Sequence, residues 1–396
     1  MKTICLDLTN IIPGVGGVGG GIATYGKSLV VGLDGLLTEK PDLLAQYNLI
    51  VLLNERNNQN FQFENVKFYN FKVNNQSLLS RMIWLHLRLP NFLKKSKVDL
   101  LHRVVSELSF KKVCKTVVTI HDFMFDFYLK ESNYSKYLKF KEVVKFQILN
   151  KLLYRSLIVG DNLLVTSKAV KDEILRKVAI DAAKIKVIPL AYENNSVKSN
   201  FLEKPENQSN EKFKFGVVAA FHPHKGHLKV LKLAKKMIEI GYGDQIHFYF
   251  RGSPIYENYY LEVQELIKDL ELEDHVTFEQ YDPNITLNDI YNKYTATILL
   301  SDYEGFGLPV IEAQAFQKPV ICSGLPVFKE ILGDSAIFLS QSVSEEEIHL
   351  LFEKLNDNIF IQNLLVKGNE NAQRFSWKHT CEQVLASYIG LLEMES

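Results

Sequence analysis

The chain has few cysteines and lacks any long apolar run. Its 396 residues include four cysteines, and none of them lies in a Cys-x-x-Cys pair or at a metal-ligand spacing. No apolar stretch approaches the roughly 18 residues that a membrane-spanning helix needs. Near the N-terminus, Asp7 and a run of glycines interrupt any signal-peptide core. We therefore expect a cytoplasmic protein with reduced thiols rather than a disulfide framework.

The formal net charge is zero, but the charged residues are unevenly distributed along the chain. Residues 1–200 carry 29 Lys or Arg against 17 Asp or Glu, and the remaining residues carry 17 against 29. Either the basic half meets an anionic partner or surface, or the charge simply differs between two domains. Nothing in the composition indicates a nucleic-acid partner. The length suits two domains of ordinary size, and the 46% hydrophobic content is that of a soluble globular protein.

Short apolar runs alternate with longer amphipathic ones along the whole chain, which predicts α/β domains with parallel sheets. The predicted strands are 3–8, 49–53, 116–120, 162–166, 185–188, 213–219, 246–250, 276–278, 296–300 and 320–323. The polar stretch 193–211 has no periodicity and is typical of a linker. Domains at 1–195 and 205–375 follow, and ligands are expected in a cleft between them, beyond the strand ends.

Two glutamates lie in the most informative segment. Glu304 and Glu312 are separated by seven residues, and a Gly-Phe-Gly turn follows the first. The predicted strand 296–300 precedes this turn, and the predicted helix 308–316 follows it with Pro309 in its first turn. A helix N-terminus at such a turn presents backbone N–H groups to an anion. The spacing alone is common, so a strand–helix corner with one solvated and one salt-bridged glutamate is an alternative.

A glycine-rich loop follows the first predicted strand. Six glycines lie between Gly14 and Gly21, and the predicted helix 22–33 begins directly after them. Such a loop lets the backbone approach a bulky ligand, and the helix N-terminus favours phosphate. The loop lacks the Gly-Lys-Ser/Thr ending of a Walker motif, and Asp34 comes too soon to be the ribose partner of a dinucleotide fingerprint. A flexible structural turn is an equal alternative.

Titratable side chains follow two further predicted strands. His121 and Asp122 come after strand 116–120, and Lys225 follows strand 213–219 beside a glycine. Active-site groups collect at this edge of parallel sheets, and a lysine there can pair with a diphosphate. Taken alone, a histidine at such a place is more often a structural hydrogen-bonding residue, and a lysine is more often a solvated surface residue.

The stretch 80–97 is basic and amphipathic. It mixes five Lys or Arg residues with Trp84 and several leucines. Such a segment can rest on an anionic membrane or on a lipid-linked substrate. A partly buried helix with a solvated basic edge is the alternative.

Together these segments resemble one family. The block from Glu304 to Ala313 resembles the E-x7-E signature of retaining, nucleotide-sugar-dependent glycosyltransferases of family 4. These have the GT-B fold with two Rossmann-like domains. The likeness covers nearly the whole chain and includes Gly20-Gly21-Ile22 with Tyr25, Ile120-His121-Asp122, Val165-Thr166-Ser167, Ile185-Lys186-Val187-Ile188-Pro189, Lys225-Gly226 and Phe375-Ser376-Trp377. It implies that residues 376–396 form a helix that crosses back to the first domain.

The resemblance implies donor-binding roles at several positions. Glu304 would bind hydroxyls of the donor sugar near the reacting centre, and Glu312 would accept hydrogen bonds from the ribose. Lys225 would neutralise the diphosphate. The remaining donor contacts would come from the backbone N–H groups of Phe306, Gly307 and Leu308, from the loop Gly19, Gly20 and Gly21, and from Tyr281 beside the nucleobase.

In the first domain, the resemblance makes His121 a contact of the transferred sugar and Asp122 an acceptor contact. No metal cofactor is expected, because no Asp-x-Asp cluster lies near the phosphate-binding segments. Retention would come from front-face attack by the acceptor, so the two glutamates are not a glycosidase acid and nucleophile. The chain departs from the family at Ala220, where an arginine is usual, and His222 or His224 could substitute for its charge.

The sequence thus predicts a retaining transferase of hexosyl or deoxyhexosyl units in bacterial lipopolysaccharide O-antigen or capsule synthesis. GDP-mannose is the favoured donor, with UDP- and dTDP-sugars as alternatives. The acceptor would be a glycan or a polyprenyl-diphosphate-linked glycan, with peripheral contact to the inner face of the membrane. The alternatives are a nucleotide-sugar epimerase or a phosphorylase of the same fold, or a catalytically silent subunit of an assembly complex, which only Ala220 supports.

Overall fold

The chain forms two compact units. The computed structural model describes residues 1–11, 20–55, 63, 65–192, 212–279, 282 and 285–394. The first unit comprises Met1–Leu190 together with Trp377–Ser396, and the second comprises Ala191–Ser376. The predicted linker 193–211 lies outside the described residues.

The first unit is built on a parallel sheet of seven strands in the order β3-β2-β1-β4-β5-β6-β7. The strands are β1 (Lys2–Asp7), β2 (Tyr47–Asn54), β3 (Val66–Phe71), β4 (Leu100–Arg103), β5 (Lys115–Ile120), β6 (Asn162–Val165) and β7 (Ile185–Val187). The helices are α1 (Gly21–Glu39), α2 (Pro41–Gln46), α3 (Leu78–Ile83), α4 (Leu89–Lys95), α5 (Met124–Lys130), α6 (Ser132–Ser135), α7 (Phe140–Val159) and α8 (Lys168–Lys177). Strand order reverses between β1 and β4, which opens a crevice at their carboxyl ends.

The second unit has a parallel sheet of six strands in the order β10-β9-β8-β11-β12-β13. The strands are β8 (Phe213–Val218), β9 (Ile246–Arg251), β10 (Val276–Glu279), β11 (Ala296–Leu299), β12 (Val320–Ser323) and β13 (Ile337–Leu339). The helices are α9 (His227–Met237), α10 (Glu257–Asp269), α11 (Leu287–Asn292), α12 (Leu308–Ala315), α13 (Pro326–Leu332), α14 (Glu345–Asn356) and α15 (Asn358–Gln373). Here the order reverses between β8 and β11, the strands that precede Lys225 and Glu304.

The last helix, α16 (Trp377–Glu393), belongs to the first unit. It packs against α1 so closely that a Cβ at Gly32 would lie 2.3 Å from the Sγ of Cys381. Farther along, the Tyr388 hydroxyl lies 2.5 Å from Nδ1 of the buried His102. Helix α16 is therefore held to α1 by the close approach of the Cys381 side chain to Gly32, and to the sheet by the buried contact of Tyr388 with His102 of β4.

The two parallel α/β sheets confirm the predicted fold class, and all ten predicted strands are present. Strands β3, β4 and β13 were not predicted. The edge strand β3 alternates weakly, β4 has only four residues and ends in His-Arg, and β13 has only three. The basic stretch forms α3 and α4, joined by a π-helical turn at Trp84–Arg88. Among the described residues, no helix is both long and apolar enough to cross a membrane.

Candidate functional site

The turn after β8 places Lys225 beside the end of β11. Residues Pro223–Lys225 form a 3-10 turn that ends at Gly226, whose φ is 76°. A Cβ on Gly226 would lie 2.0 Å from the carbonyl oxygen of Leu300. Both this contact and the positive φ exclude a residue larger than glycine. This close backbone approach carries Lys225 across to the loop that follows β11.

There Lys225 forms an ion pair with Glu304. Its Nζ donates to both carboxylate oxygens, at 2.8 and 2.7 Å. The hydroxyl of Ser301 donates to the Oε1 of the same carboxylate at 2.8 Å. The Glu304 side chain is only 6% exposed and that of Lys225 is 20% exposed. Two residues that the sequence analysis treated separately are thus direct partners in one largely buried pair.

The two loops are also joined by their backbones. The Asp302 N–H donates to the carbonyl of His224 at 2.8 Å, and Lys229 forms an ion pair with Asp302. On the other side, the hydroxyl of Ser323 at the end of β12 donates to the Ser301 carbonyl at 2.6 Å. These contacts fix the loops after β8, β11 and β12 as one platform at the carboxyl edge of the sheet.

Helix α12 begins on this platform. Gly307 precedes it with φ 101°, and a Cβ there would lie 2.5 Å from the ring of Phe328. Pro309 occupies the first turn, where a missing N–H breaks no helical bond, and this turn holds no acidic residue. The N–H groups of a first helical turn have no helical carbonyl to bond, and the helix dipole adds positive potential there. The segment of Phe306, Gly307 and Leu308 therefore suits an anion.

Glu312 lies on α12, and its carboxylate is oriented by a tyrosine. The Tyr291 hydroxyl donates to its Oε2 at 2.8 Å, and the Pro309 carbonyl lies 3.2 Å from the same hydroxyl. The Tyr291 ring is fully buried and stacks on Phe316. Burial and the neighbouring carboxylate raise the pKa of Tyr291 well above its usual range, so it remains a donor. The sequence analysis missed this supporting residue because it lies on a different helix, α11.

In the first unit, His121 follows β5 with a fixed tautomer. Its Nε2 donates to the Val104 carbonyl at 2.9 Å, which leaves Nδ1 as the acceptor. The Tyr25 ring meets the imidazole edge-on at 5.2 Å between centroids. Burial lowers the pKa of His121 to about 4, so the ring is neutral near pH 7. Such a group can hydrogen-bond a sugar hydroxyl, but it does not provide positive charge.

The other predicted site residues have simpler surroundings. An Oδ1 of Asp122 accepts the N–H of Met124 at 2.8 Å, at the start of α5. Gly20 precedes α1, and Gly21 is its first residue. Gly19 and Tyr281 lie outside the described residues.

The structure corrects the suggestion that His222 or His224 replaces the usual arginine charge. Both side chains are buried. Burial, reinforced by Lys225, lowers the pKa of His222 to about 3 and that of His224 well below its usual range. Neither imidazole is therefore protonated at neutral pH. Neither histidine can replace the positive charge of the arginine that is usual at the position of Ala220.

A buried charge network at the β1/β4 crevice escaped the sequence analysis. Arg103 forms ion pairs with Asp7 and Glu107, and Arg81 lies 3.2 Å from the same glutamate. The Trp84 indole donates to Asp7 at 3.2 Å. Asp7 directly ends β1 and Arg103 ends β4. The end of the predicted strand 3–8 was the available signal for Asp7, but β4 was not predicted, so there was no such signal for Arg103. The network joins α3 to the sheet, and its two cations and two carboxylates balance, so removing one member would leave a buried net charge.

Five buried histidines make the fold sensitive to acid. Besides His121, His222 and His224, burial lowers the pKa of His102 and His227 to about 3. These groups stay neutral when folded but take up protons near pH 6.5 when unfolded. Their stabilising contribution is complete above that pH and is lost progressively as pH falls below it and through the lowered pKa of each group, by up to about 1.4 kcal/mol per pH unit for each.

We therefore expect the denaturant midpoint to fall steadily between pH 7 and pH 5. NMR titration of the histidine ring protons provides the check at residue level. The buried rings are expected to keep neutral chemical shifts down to pH 5. Titration of all ten histidines near pH 6.5 in the folded protein would contradict this account.

Known proteins resemble both halves of the chain. Residues 43–193 match the family model "Glycosyltransferase Family 4", and residues 199–375 match "Glycosyl transferases group 1". The O-antigen chain mannosyltransferase RfbU of Salmonella typhimurium is 32% identical over 259 residues, which span 65% of this chain and 64% of that protein.

Solved structures show the same fold over nearly the full length. Sucrose-phosphate synthase of Thermosynechococcus elongatus superposes with a TM-score of 0.73 at 17% identity, covering 99% of each chain. Anabaena HepE, solved in complex with UDP, superposes with a TM-score of 0.65 at 16% identity, covering 98% of this chain and all of the other.

Proposed function

We propose that this chain is a glycosyltransferase that uses a nucleotide-sugar donor. Both of its units resemble glycosyltransferases of family 4, which have the GT-B fold. The observation that carries the proposal is the platform at the β8/β11 crevice. There a lysine, a buried glutamate and a helix N-terminus lie at one sheet edge. This is where α/β sheets bind nucleotides, and the three groups suit a sugar joined to a diphosphate.

The transfer chemistry follows from where charge develops. Cleavage of the bond between sugar and diphosphate leaves positive charge on the sugar and negative charge on the leaving phosphate. Lys225 and the N–H groups at the start of α12 would stabilise that phosphate, and more strongly in the transition state than in the ground state. The lysine and helix dipole supply the countercharge, so the proposal requires no metal cofactor.

The remaining roles are assigned by position. Glu312, with a carboxylate oriented by Tyr291, would accept the ribose hydroxyls, and Glu304 would hold the hydroxyls of the transferred sugar. In the first unit, His121 would contact the sugar through its Nδ1 and Asp122 the acceptor. The neutral imidazole suits a hydroxyl better than a phosphate. Gly20 and Gly21 would be further donor-binding residues.

For the donor we propose a GDP-activated hexose, with GDP-mannose favoured. The support is the similarity to an O-antigen chain mannosyltransferase, although the match spans 64% of that protein. UDP- and dTDP-sugars are the alternatives, and HepE was solved with UDP. The product would be a retained glycosidic linkage on a glycan or polyprenyl-diphosphate-linked acceptor in bacterial surface-polysaccharide synthesis, at the cytoplasmic face of the membrane.

Turnover of nucleotide sugars tests this proposal. The protein is incubated with GDP-mannose, UDP-glucose or dTDP-rhamnose and a membrane-extracted lipid-linked glycan, and release of the nucleoside diphosphate is measured. We expect acceptor-dependent release from one donor, and the anomeric configuration of the product reports retention. Absence of release from every donor, with a folded protein that still binds a nucleotide, would favour a catalytically silent subunit.

A face of the first unit fits the proposed membrane contact. Leu79, Ile83 and Leu87 are exposed at four-residue spacing along α3 and the π-helical turn. Phe110 lies beside them, because its ring stacks on His86 at 4.1 Å, and it is also exposed. We call these residues the apolar stripe. Exposed cations follow it along the chain, namely Arg88, Lys94 and Lys95 after Leu87 and Lys111 after Phe110. An apolar stripe followed by cations suits an anionic lipid surface.

Vesicle sedimentation checks this surface. We expect binding to vesicles containing phosphatidylglycerol and little binding to pure phosphatidylcholine. The double variant L79E/L87E should lower the affinity for anionic vesicles by about tenfold or more, since it replaces inserted leucines with repelled carboxylates. The matched control L261E/L350E changes two exposed leucines of the second unit and should bind as the unmodified protein does. Equal loss in both variants would contradict a specific surface.

A further inference from the structure

Lys225 and Glu304 form an ion pair with each other, although the proposed function assigns a different partner to each of them. The lysine would serve the diphosphate and the glutamate the sugar, yet the two bind each other through both carboxylate oxygens. Together they carry no net charge. A diphosphate that approaches this platform therefore meets a lysine whose charge is already compensated.

We propose that Glu304 competes with the donor diphosphate for Lys225, and that only a nucleotide carrying a sugar fully relieves the competition. The inference rests on the proposed function and concerns how that site distinguishes donor from product. In the free protein Lys225 pairs with Glu304. In the donor complex the lysine turns to the diphosphate, and sugar hydroxyls take its place at the carboxylate.

The burial of Glu304 makes this exchange selective. Its side chain is 6% exposed, and among the residues that the structure describes the Ser301 hydroxyl is the side-chain partner that remains when Lys225 leaves. A buried carboxylate that loses its cation is strongly unfavourable unless new hydrogen-bond donors reach it. Sugar hydroxyls are such donors, and a free nucleoside diphosphate has none at that position. The free nucleotide must therefore share the lysine with Glu304 and binds less tightly.

The same competition assists product release. When the sugar has moved to the acceptor, the hydroxyl donors leave Glu304 together with it. The carboxylate then draws Lys225 back from the diphosphate, and the nucleotide loses its main cation. Glu304 is thus a specificity-determining residue that weakens the product complex relative to the donor complex.

The surrounding geometry allows the exchange without movement of the loops. Gly226 lies against Leu300, and the Asp302 N–H is bonded to His224, so the backbones on both sides are fixed. The flexible four-carbon stem of Lys225 is the part that can move. A rotation of this side chain is sufficient.

Calorimetric titration with GDP, UDP and dTDP tests the inference on the full chain. For the nucleotide that binds, we expect Glu304→Gln to tighten affinity by about tenfold, because Lys225 becomes fully available. Glu279→Gln is the matched control. Glu279 is also a buried carboxylate at a strand end of this sheet, and it pairs with Lys293. Its variant should stay within about twofold. Unchanged or weaker affinity of Glu304→Gln, or equal tightening by the control, would overturn the inference.

The tightening must also depend on Lys225. The double variant K225M/E304Q carries neither charge, so it leaves no buried ion without its partner. It is expected to bind the nucleotide at least about tenfold more weakly than E304Q alone, and equal affinity would overturn the exchange. Binding of no nucleotide by the unmodified protein is a different result, because it contradicts the proposed function itself.

Discussion

Lys225→Met is expected to lower kcat/KM by about 100-fold or more, the largest effect of any single substitution in the proposed site. The lysine is the cation that the platform offers to the leaving diphosphate, and Ala220 stands where the glycosyltransferases that the chain resembles usually have a second one. Removing a donor aimed at developing negative charge lowers kcat by about 100- to 1,000-fold in other enzymes. Steady-state rates with the donor identified by turnover provide the measurement.

The matched control for that variant is Lys293→Met. Lys293 also pairs with a carboxylate at a strand end of the same sheet, Glu279, but has no role in the proposed chemistry. It should keep kcat/KM within about fivefold. Unfolding midpoints of both variants separate a chemical loss from a folding defect. Similar rates for Lys225→Met and the unmodified protein would rule out its proposed role at the diphosphate.

Glu312→Ala is expected to weaken nucleotide binding by about 10- to 100-fold. Hydrogen bonds from ribose hydroxyls to a carboxylate are charge-assisted, and each is typically worth about 1.5–3 kcal/mol. Glu304→Ala should instead mainly lower turnover, because its partners in the donor complex belong to the sugar. Calorimetry with the free nucleotide and steady-state kinetics separate the two effects.

Tyr291→Phe is the control for the Glu312 variant. It removes the hydroxyl that orients Glu312 and leaves the carboxylate in place. Its loss of nucleotide affinity should be smaller than that of Glu312→Ala. Equal loss of nucleotide affinity in Glu304→Ala and Glu312→Ala would refute the separation of their roles.

Much of the fold could be predicted from the sequence because both sheets are parallel and buried. Their central strands are continuous apolar runs, which separate clearly from the amphipathic helices. The missed strands lacked that signal. Strand β3 lies at a sheet edge and exposes half of its residues. Strand β4 ends in His102 and Arg103, two polar residues that are buried among polar partners. Polar burial of that kind depends on tertiary contacts, which a single sequence does not reveal.

The sequence names candidate site residues one by one, and their roles stay predictions, but the contacts among them could not be predicted. Lys225 and Glu304 are 79 positions apart, and only the strand order β8-β11 makes them neighbours. The sequence likewise gave no indication that Tyr291 would orient Glu312. The suggestion that His222 or His224 supplies a charge does not hold, because burial, which a single sequence does not reveal, keeps both rings neutral.

The most direct measurement is a titration of the unmodified protein with GDP, UDP and dTDP. The proposed donor site in the second unit predicts saturable binding of one of these nucleotides at micromolar to submillimolar concentration, and GDP is expected to bind most tightly. Binding should weaken in Glu312→Ala. Absence of detectable binding of all three at millimolar concentration would contradict a nucleotide-sugar transferase.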